Sequence, residues 1–331
     1  MIQEIKELIL NNDFEQGAGK VEMYDIKNDY INDVLSRVKL HRNVKVISDC
    51  GNGAAGLVAT EILKKLGVEL TELYTEPDGT FPNHHPDPTV EEYIQDLIGL
   101  MKKGDAEIGV AFDGDADRLG VVDEKGNIIW GDKLMIIFAR DLLSRQPGAS
   151  VIFDVKCSQA LSEEIEKAGG KPVMWKTGHS LLKEKMRESG APLAGEMSGH
   201  LFFKENWYGF DDAIYAAVRL IEILSRSEKS LSEMLADVPV YYSTPEMRLE
   251  CPTDEEKFKI TTKAVEYFKE NYQVIDVDGV RILFGDGWGL VRASNTQPVI
   301  VARFEARSPE RLEELKNLVL SKLSEFGEIS W

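Results

Sequence analysis

The sequence predicts an α/β protein with two similar α/β domains in tandem, both with mixed sheets, followed by a C-terminal α+β domain. Helix-period stretches alternate with short β-rich runs over the first two thirds of the chain. One order of strand, turn, helix and strand occurs twice, about a hundred residues apart. After Pro239 the strands are grouped between two long helices. The predicted segments are 1–24, 25–127, 128–239 and 240–331.

Hydrophobic periodicity and turn residues give the predicted elements. Before residue 131 these are helices at 2–10, 28–38, 57–66 and 90–102, and strands at 44–48, 68–74, 107–112, 119–123 and 128–130. The repeat then supplies a strand at 151–155, a helix at 159–168 and a strand at 171–175. The C-terminal domain has predicted strands at 241–248, 279–284, 289–292 and 299–305, and helices at 255–271 and 309–326.

Composition excludes several classes of protein. Of the 331 residues, 43% are apolar and 29% are charged, which is typical of a chain that folds around a core. Thirty-nine basic and 57 acidic residues give a net charge of −18, and nucleic acid and anionic membranes are bound through basic surfaces. We therefore expect neither as a partner. Without a long apolar run, a basic signal-peptide start or paired cysteine spacing, the sequence predicts a cytoplasmic protein.

Three aspartates follow the predicted strand 107–112 at alternate positions, namely Asp113, Asp115 and Asp117. On an extended backbone, residues two apart point the same way, so we expect the three carboxylates to converge. Converging negative charges need a cation, and a few carboxylates with room for a phosphate or water suit Mg²⁺. The motif predicts a magnesium site, and the alternative is an acidic surface turn.

A glycine-rich turn at residues 51–56 joins the strand 44–48 to the helix 57–66 and matches the pattern G-x-G-x-x-G. Such a turn can bind the pyrophosphate of a dinucleotide, so an NAD-dependent dehydrogenase is one alternative function. A tight strand-to-helix turn that needs small residues explains the same glycines. The motif alone does not decide between the two.

The glycine-rich stretch 195–200 contains Glu196, Ser198 and His200. Glu196 and Ser198 can accept and donate hydrogen bonds to a ligand with many hydroxyl groups, and His200 can transfer a proton. A solvated surface loop explains these residues equally well, so the stretch is a candidate binding loop.

A loop rich in hydroxyls and amides lies between the last two predicted strands; it contains Arg292, Ser294, Asn295 and Thr296, with Arg303 on the second strand. Guanidinium groups, hydroxyls and turn amides together can hold a phosphate, although an ordinary polar turn has the same composition. Lys156, Lys176 and His179 follow the two strands of the repeat, where an open α/β sheet binds its ligands.

The aspartate motif, the Glu196 loop and the Arg292 loop, in this order and spacing, resemble the α-D-phosphohexomutases, most closely their bacterial phosphomannomutase/phosphoglucomutase branch. The resemblance runs from near Tyr24 to the C-terminus. It implies a Mg²⁺-dependent enzyme that interconverts hexose 1-phosphate and hexose 6-phosphate through a bisphosphorylated sugar. It also implies four domains around a cleft and a phosphoserine on the first of them. Whether the hexose is glucose or mannose stays open.

The resemblance also implies roles for individual residues. Arg118 would steady the phosphate of the phosphoserine, His200 would act as acid or base, and the Arg292 loop would hold the distal phosphate. Together with the residues placed by the strand ends, the predicted catalytic residues are Arg118, Lys156 and His200, the metal ligands Asp113, Asp115 and Asp117, and the substrate-binding residues Lys156, Lys176, His179, Glu196, Ser198, His200, Arg292, Ser294, Asn295, Thr296 and Arg303.

The phosphoserine stretch of the family, Thr-x-Ser-His-Asn-Pro, does not occur in this sequence. Residues 1–24 would match the tail of the family's first domain, and apolar residues such as Ile5, Leu8, Ile9 and Phe14 would dock on the rest of it. We expect the isolated chain to bind sugar phosphate and metal weakly without sustaining phosphoryl transfer, because the covalent carrier is missing. Either a separate polypeptide supplies the phosphoserine domain or that domain is lost by truncation. A non-catalytic sugar-phosphate binding module is a further alternative.

Overall fold

The computed structural model describes residues 2–294 and 297–330. Helix α1 spans Ile2–Leu10. Residues 3–10 and the segment that follows are exposed, and the buried part of the structure begins with the next helix. Among the described residues, no helix combines the length and the hydropathy needed to cross a membrane.

The first α/β domain contains a mixed five-stranded sheet. Its elements are α2 (Lys27–Arg37), β1 (Lys45–Asp49), α3 (Ala59–Leu66), β2 (Glu69–Leu73), α4 (Gln95–Lys103), β3 (Ile108–Phe112), β4 (Leu119–Asp123) and β5 (Ile128–Ile129). The strand order is β2-β1-β3-β4-β5, in which β1 is parallel to β2 and β3, and β4 is antiparallel to both its neighbours. Helix α3 ends at Gly67, whose φ of 82° lets it cap the helix. Short 3₁₀ turns precede α3 and α4, so both helices are shorter than predicted.

The second α/β domain repeats this topology. Its elements are α5 (Gly131–Arg145), β6 (Ser150–Asp154), α6 (Gln159–Lys167), β7 (Lys171–Trp175), α7 (His179–Ser189), β8 (Leu193–Gly195), β9 (Leu201–Phe203), α8 (Ala213–Arg226) and α9 (Leu231–Met234). The strand order is β7-β6-β8-β9, with β6 parallel to β7 and β8, and β9 antiparallel to β8. This is the arrangement of β2-β1-β3-β4, so the predicted internal repeat is confirmed.

The two α/β domains share one apolar core. Helix α8 is buried along most of its length and packs on β3 and β4 of the first sheet as well as on β9 of its own. The core runs without interruption from Ile31 on α2 to Val238 after α9. Because moving the sheets apart would expose this apolar surface, the two domains are held at a fixed distance.

The C-terminal domain is an antiparallel sheet with two helices on one face. Its elements are β10 (Tyr242–Ser243), β11 (Met247–Glu250), α10 (Asp254–Asn271), β12 (Gln273–Ile275), β13 (Val280–Leu283), β14 (Gly287–Ala293), β15 (Val299–Ala306) and α11 (Pro309–Phe326). The strand order is β10-β15-β14-β13-β12, and β11 also pairs with β15. The strand predicted at 241–248 is in fact two short strands, because Pro245 interrupts it. The predicted fold class is confirmed.

Candidate active site

The candidate loops of the two α/β domains follow equivalent strands. Asp113 follows β3, and Glu196 follows β8, which has the same place in the second sheet. An antiparallel β-bridge between Arg118 and His200 joins the two loops. The aspartate motif and the Glu196 loop therefore form one continuous surface across the domain boundary.

The three carboxylates converge, but through a turn and not along an extended strand. One oxygen from each of Asp113, Asp115 and Asp117 lies within 4.8 Å of the others. Ala116 has a φ of 65°, and Asp113 Oδ1 accepts the backbone N–H groups of Asp117 and Arg118 at 2.9 and 3.0 Å. The expectation of an extended backbone is wrong, because these hydrogen bonds close the segment into an Asx-type turn.

The chemistry of this donor set fits a hard divalent cation such as Mg²⁺. Burial raises the pKa of Asp117 to about 7, and the Asp113 and Asp115 carboxylates add to that effect against the opposing charge of His200. Anions crowded enough to retain a proton near neutral pH are stabilised when a divalent cation replaces that proton. Asp113, Asp115 and Asp117 are the residues that would hold the ion.

Arg118 lies beside the aspartates. Its Nε donates to Asp113 Oδ2 at 2.7 Å, and its Nη1 donates to Asp87 Oδ1 at 3.1 Å. Burial acts to lower the pKa of Arg118, but Asp113 and Asp87 raise it by more. A partly exposed guanidinium that keeps its charge next to a metal site is suited to binding a phosphate.

The glycine turn supports the aspartate motif. Ala54 N donates to Gly114 O at 2.9 Å, and a Cβ on Gly53 would lie 2.8 Å from the same carbonyl oxygen. Gly51 has a φ of 52°, and its Cβ would lie 2.9 Å from Pro86 Cβ. Close packing against two neighbouring loops therefore explains these glycines without a dinucleotide.

Glu196 is buried, with only 3% of the residue exposed. Its Oε1 accepts the backbone N–H of Gly178 at 2.7 Å, and its Oε2 accepts the hydroxyl of Ser198 at 2.9 Å. Burial raises the pKa of Glu196, and Asp154 adds to this while His200 opposes it. The two side chains form a fixed pair of hydrogen-bonding groups suited to neighbouring hydroxyls of a sugar.

His200 lies between two carboxylates. Its Nδ1 is 3.3 Å from Asp211 Oδ2 and 3.5 Å from Asp117 Oδ1, and its ring stacks on His179 with centroids 5.5 Å apart. Burial acts to lower the pKa of His200, but the nearby carboxylates raise it above its ordinary value. The imidazole is therefore set up to hold a proton and to release it to a substrate.

Asp211 is a site residue that the sequence motifs do not indicate. Its carboxylate accepts Lys183 Nζ at 2.8 Å and lies 3.0 Å from Nδ1 of His179, the exposed first residue of α7. Burial acts to raise the pKa of Asp211, but His200 and Lys183 hold it well below its ordinary value. The sequence holds one hint of its role: two aspartates, Asp211 and Asp212, precede α8, but only Asp212 caps the helix, which leaves Asp211 available for another contact.

Lys156 reaches the same surface from the turn after β6. It is buried, and its Nζ donates to Glu246 Oε2 at 3.2 Å. Burial acts to lower its pKa, but Asp154, Glu246 and Glu196 raise it by more, so the ammonium stays charged. The predicted residue Lys176 follows β7 and is exposed.

Asp278, which sequence reasoning does not identify, ties the C-terminal loop to the segment of the second domain that contacts Glu196. Arg292 Nε and Thr177 N both donate to Asp278 Oδ2, at 2.8 and 3.1 Å. Thr177 precedes Gly178, whose backbone N–H donates to Glu196 Oε1. Asp278 and the backbone of Thr177 and Gly178 therefore link Arg292 to the Glu196–Ser198 pair.

The rest of the predicted phosphate loop is held by a lysine and by the second domain. Ser294 is buried, and its carbonyl accepts Lys257 Nζ at 2.9 Å. Arg303 donates to the carbonyl of Lys156 and contacts Met197 Sδ, so its guanidinium faces the second α/β domain. The predicted residues Asn295 and Thr296 lie outside the described residues.

The fold and the site define a protein with tandem α/β domains, in which a loop of three converging carboxylates lies next to a loop with a buried glutamate–serine pair. Comparison with known families is more specific. Family models match the chain in order: Phosphoglucomutase/phosphomannomutase, alpha/beta/alpha domain II at residues 28–126, alpha/beta/alpha domain III at 130–242, and C-terminal domain at 246–322. The chain belongs to the phosphoglucomutase/phosphomannomutase family, among the α-D-phosphohexomutases, and the resemblance predicted from its motifs is confirmed.

Individual relatives agree with this assignment. The phosphomannomutase/phosphoglucomutase of Pseudomonas putida is 49% identical over 325 residues, which are 97% of this chain and 70% of the relative. A phosphoglucomutase of Neisseria meningitidis is 46% identical over 334 residues, with 100% of this chain and 72% of the relative covered. The crystal structure of a phosphoglucomutase/phosphomannomutase family protein from Burkholderia thailandensis has a TM-score of 0.91 at 45% identity, and the match covers 100% of this chain and 71% of that one.

Proposed function

We propose that this chain is the metal- and sugar-binding part of a phosphohexomutase that interconverts hexose 1-phosphate and hexose 6-phosphate through a bisphosphorylated sugar. The observation that carries the proposal is the meeting of the aspartate motif, the Glu196 loop and the Arg292 loop at one surface. The names of the relatives, phosphomannomutase/phosphoglucomutase and phosphoglucomutase, support the same activity. Glucose and mannose phosphates are both proposed substrates.

Binding of the sugar phosphate uses the charges and hydrogen-bonding groups of the chain. Glu196 and Ser198 bind two hydroxyl groups that the 1-phosphate and 6-phosphate share. Lys156 lies beside them, and Arg292 draws the distal phosphate to the C-terminal domain. Because the same groups accept either orientation of the sugar, one site serves both halves of the reaction.

The chemical step moves a phosphoryl group from a phosphoserine to the free hydroxyl of the sugar phosphate. The P–O bond to serine breaks, a P–O bond to the sugar forms, the sugar hydroxyl loses a proton and the serine oxygen gains one. His200, beside Asp211, holds and moves the proton at the sugar oxygen, and Arg118 faces the charge of the transferred group. When bound by the aspartates, Mg²⁺ supplies positive charge next to that group. The second half returns the other phosphoryl group to the serine.

We propose that the phosphoserine domain lies outside these 331 residues, either on a separate polypeptide or on a segment lost by truncation. The stretch Thr-x-Ser-His-Asn-Pro does not occur in the 331 residues. Ile5, Leu8, Ile9 and Phe14 are between 44% and 60% exposed, and they form an apolar surface that such a polypeptide would cover. The cytoplasmic location stays a prediction from the sequence.

Reconstitution tests the proposal. The chain is mixed with a purified polypeptide that carries the Thr-x-Ser-His-Asn-Pro stretch phosphorylated on its serine, and glucose 1-phosphate and mannose 1-phosphate are supplied with Mg²⁺. We expect a complex and formation of the 6-phosphate, with no product from the chain alone. A mixture that forms neither complex nor product contradicts the split enzyme.

Two variants refine the same experiment. Leu8→Asp is expected to weaken the complex while leaving the affinity of the chain for sugar phosphate unchanged. Lys6→Glu, on the same exposed helix, is the matched control for a change of charge. Sugar-phosphate binding that raises the thermal midpoint without turnover in any mixture would support the non-catalytic binding module instead.

A further inference from the structure

A buried arginine of the C-terminal domain holds the backbone around Lys156. Arg281 lies on β13 and is fully buried. Its Nη1 donates to the carbonyl oxygens of Val155 and Cys157, each at 2.7 Å. These two residues flank Lys156 in the sequence, so the arginine is hydrogen-bonded to the backbone on both sides of the lysine.

The surroundings fix this arginine in place. Val280 and Ile282 belong to the apolar core of the C-terminal domain, so alternation along β13 points Arg281 to the opposite face, toward the second α/β domain. Its guanidinium carbon lies 3.7 Å from the centroid of the Trp288 ring. Trp288 Nε1 in turn donates to buried Glu305 at 2.8 Å. Burial lowers the pKa of Arg281 to about 10, so it remains charged at neutral pH.

We infer that Arg281 is a positioning residue for Lys156. Arg303 donates to the carbonyl of Lys156 itself, so two arginines of one domain hold three successive carbonyls of another. With its backbone held on both sides, the Lys156 side chain keeps its direction toward Glu246 and Glu196. The domain that carries the Arg292 loop therefore also sets the position of a lysine in the second α/β domain. The value of this coupling for catalysis rests on the proposed function, whereas the positioning itself does not.

The reactivity of single lysines in the full chain tests this inference. The wild type and Arg281→Met are treated with acetic anhydride at one pH, and acetylation of Lys156 and Lys257 is followed by mass spectrometry. We expect Lys156 to react at least about fivefold faster in Arg281→Met, because its turn opens locally, while buried Lys257 is unchanged. Equal rates for Lys156 in the two proteins would overturn the inference, and so would an equal increase at both lysines, which indicates general loosening.

Two further variants keep the test decisive. Arg281→Lys retains the charge and a donor, so it is expected to give an intermediate rate; if Arg281→Met does not fold, an unchanged rate in Arg281→Lys overturns the inference. Arg307→Met is the matched control, because Arg307 lies in the same domain but pairs with Glu163 at 3.1 Å. A faster acetylation of Lys156 in this control would also count against the inference. Titrations of the same proteins with glucose 1-phosphate separate the two proposals. If none of the proteins binds the sugar phosphate, the proposed function is wrong, but the acetylation rates of Lys156 still test its positioning by Arg281.

Discussion

The two α/β domains share a sheet order but present different chemistry at equivalent places. After β3, the first domain has a turn of three converging carboxylates; after β8, the second has a buried glutamate paired with a serine. After β1, the first has a glycine turn; after β6, the second has buried Lys156. The strands fix where a loop lies, and the loop residues decide what it binds. One topology therefore places the proposed cation site and the proposed sugar site side by side.

The largest effect is expected at the cation loop. Asp115 is the most exposed of the three aspartates, so Asp115→Asn removes a ligand charge with little change in packing. We expect the affinity for Mg²⁺, measured by titration calorimetry, to fall by about 100-fold or more. Glucose 1-phosphate affinity without Mg²⁺ should stay the same.

Asp105→Asn is the control for this loss, because Asp105 lies before β3, at the other end of the same strand. The assignment of the first domain as the cation holder does not survive if Asp115→Asn and Asp105→Asn bind Mg²⁺ equally well.

The opposite selectivity is expected at the equivalent loop of the second domain. Glu196→Gln keeps the shape of the side chain but removes the charge from its hydrogen bonds, which are worth about 1.5–3 kcal/mol when charged. Glucose 1-phosphate affinity should fall by roughly 10-fold to 100-fold, while Mg²⁺ affinity is unchanged. Glu188→Gln, at the end of α7, should change neither. A parallel loss of Mg²⁺ affinity in Glu196→Gln would show that the two loops are not independent.

Sequence reasoning works best where the signal is local. The bounds of β7 and α11 are those predicted from periodicity and turn residues, and the aspartate motif is recognisable from its spacing. The strands β8 and β9 are three residues each, too short to show a two-residue period, so the strand that presents Glu196 has no signal of its own.

The remaining site residues come from contacts between distant segments. Asp211 approaches His200 across a loop, and Asp278 joins Arg292 to the second domain. Arg281 acts on carbonyls more than a hundred residues earlier in the chain. Tertiary packing makes these contacts, and neither composition nor spacing encodes them in a readable way.

Each loop also packs closely against a glycine outside it. Replacing each glycine in turn therefore tests whether the two loops bind their ligands independently. A Cβ on Gly53 would lie 2.8 Å from Gly114 O in the cation loop, and one on Gly131 would lie 2.5 Å from Glu196 O. Both replacements by alanine should cost about 1–3 kcal/mol in stability, because backbone must shift. Gly53→Ala should lower only the affinity for Mg²⁺, by about tenfold. Gly131→Ala should lower only the affinity for sugar phosphate, also by about tenfold.

Gly17→Ala, where a Cβ meets open space, is the control for the glycine variants. If Gly53→Ala and Gly131→Ala weaken both ligands to the same extent, the division of chemistry between the domains is wrong, and the loops act as one unit.

The smallest expected effect concerns two histidines, one in each α/β domain, that each lie next to an aspartate. His84 Nε2 lies 3.1 Å from Asp49 Oδ2, and that contact raises the pKa of His84 against burial. In the second domain, Asp211→Asn should lower the pKa of His200, because burial, the largest influence, then faces less opposition. Proton–carbon NMR of the imidazole signals over pH, on metal-free protein, measures both.

The sign of the effect on stability follows from the direction of this shift. A raised pKa means that charged His200 stabilises the fold below its unfolded pKa, and that this contribution is lost as the pH rises through the folded value. The gap in free energy of unfolding between wild type and Asp211→Asn should therefore narrow as the pH rises through that range. The pKa of His84 should not move. A His200 pKa unchanged by Asp211→Asn would mean that Asp117 and Glu196 alone keep the imidazole protonated, and the second domain would then lack the aspartate–histidine pair that the first domain has.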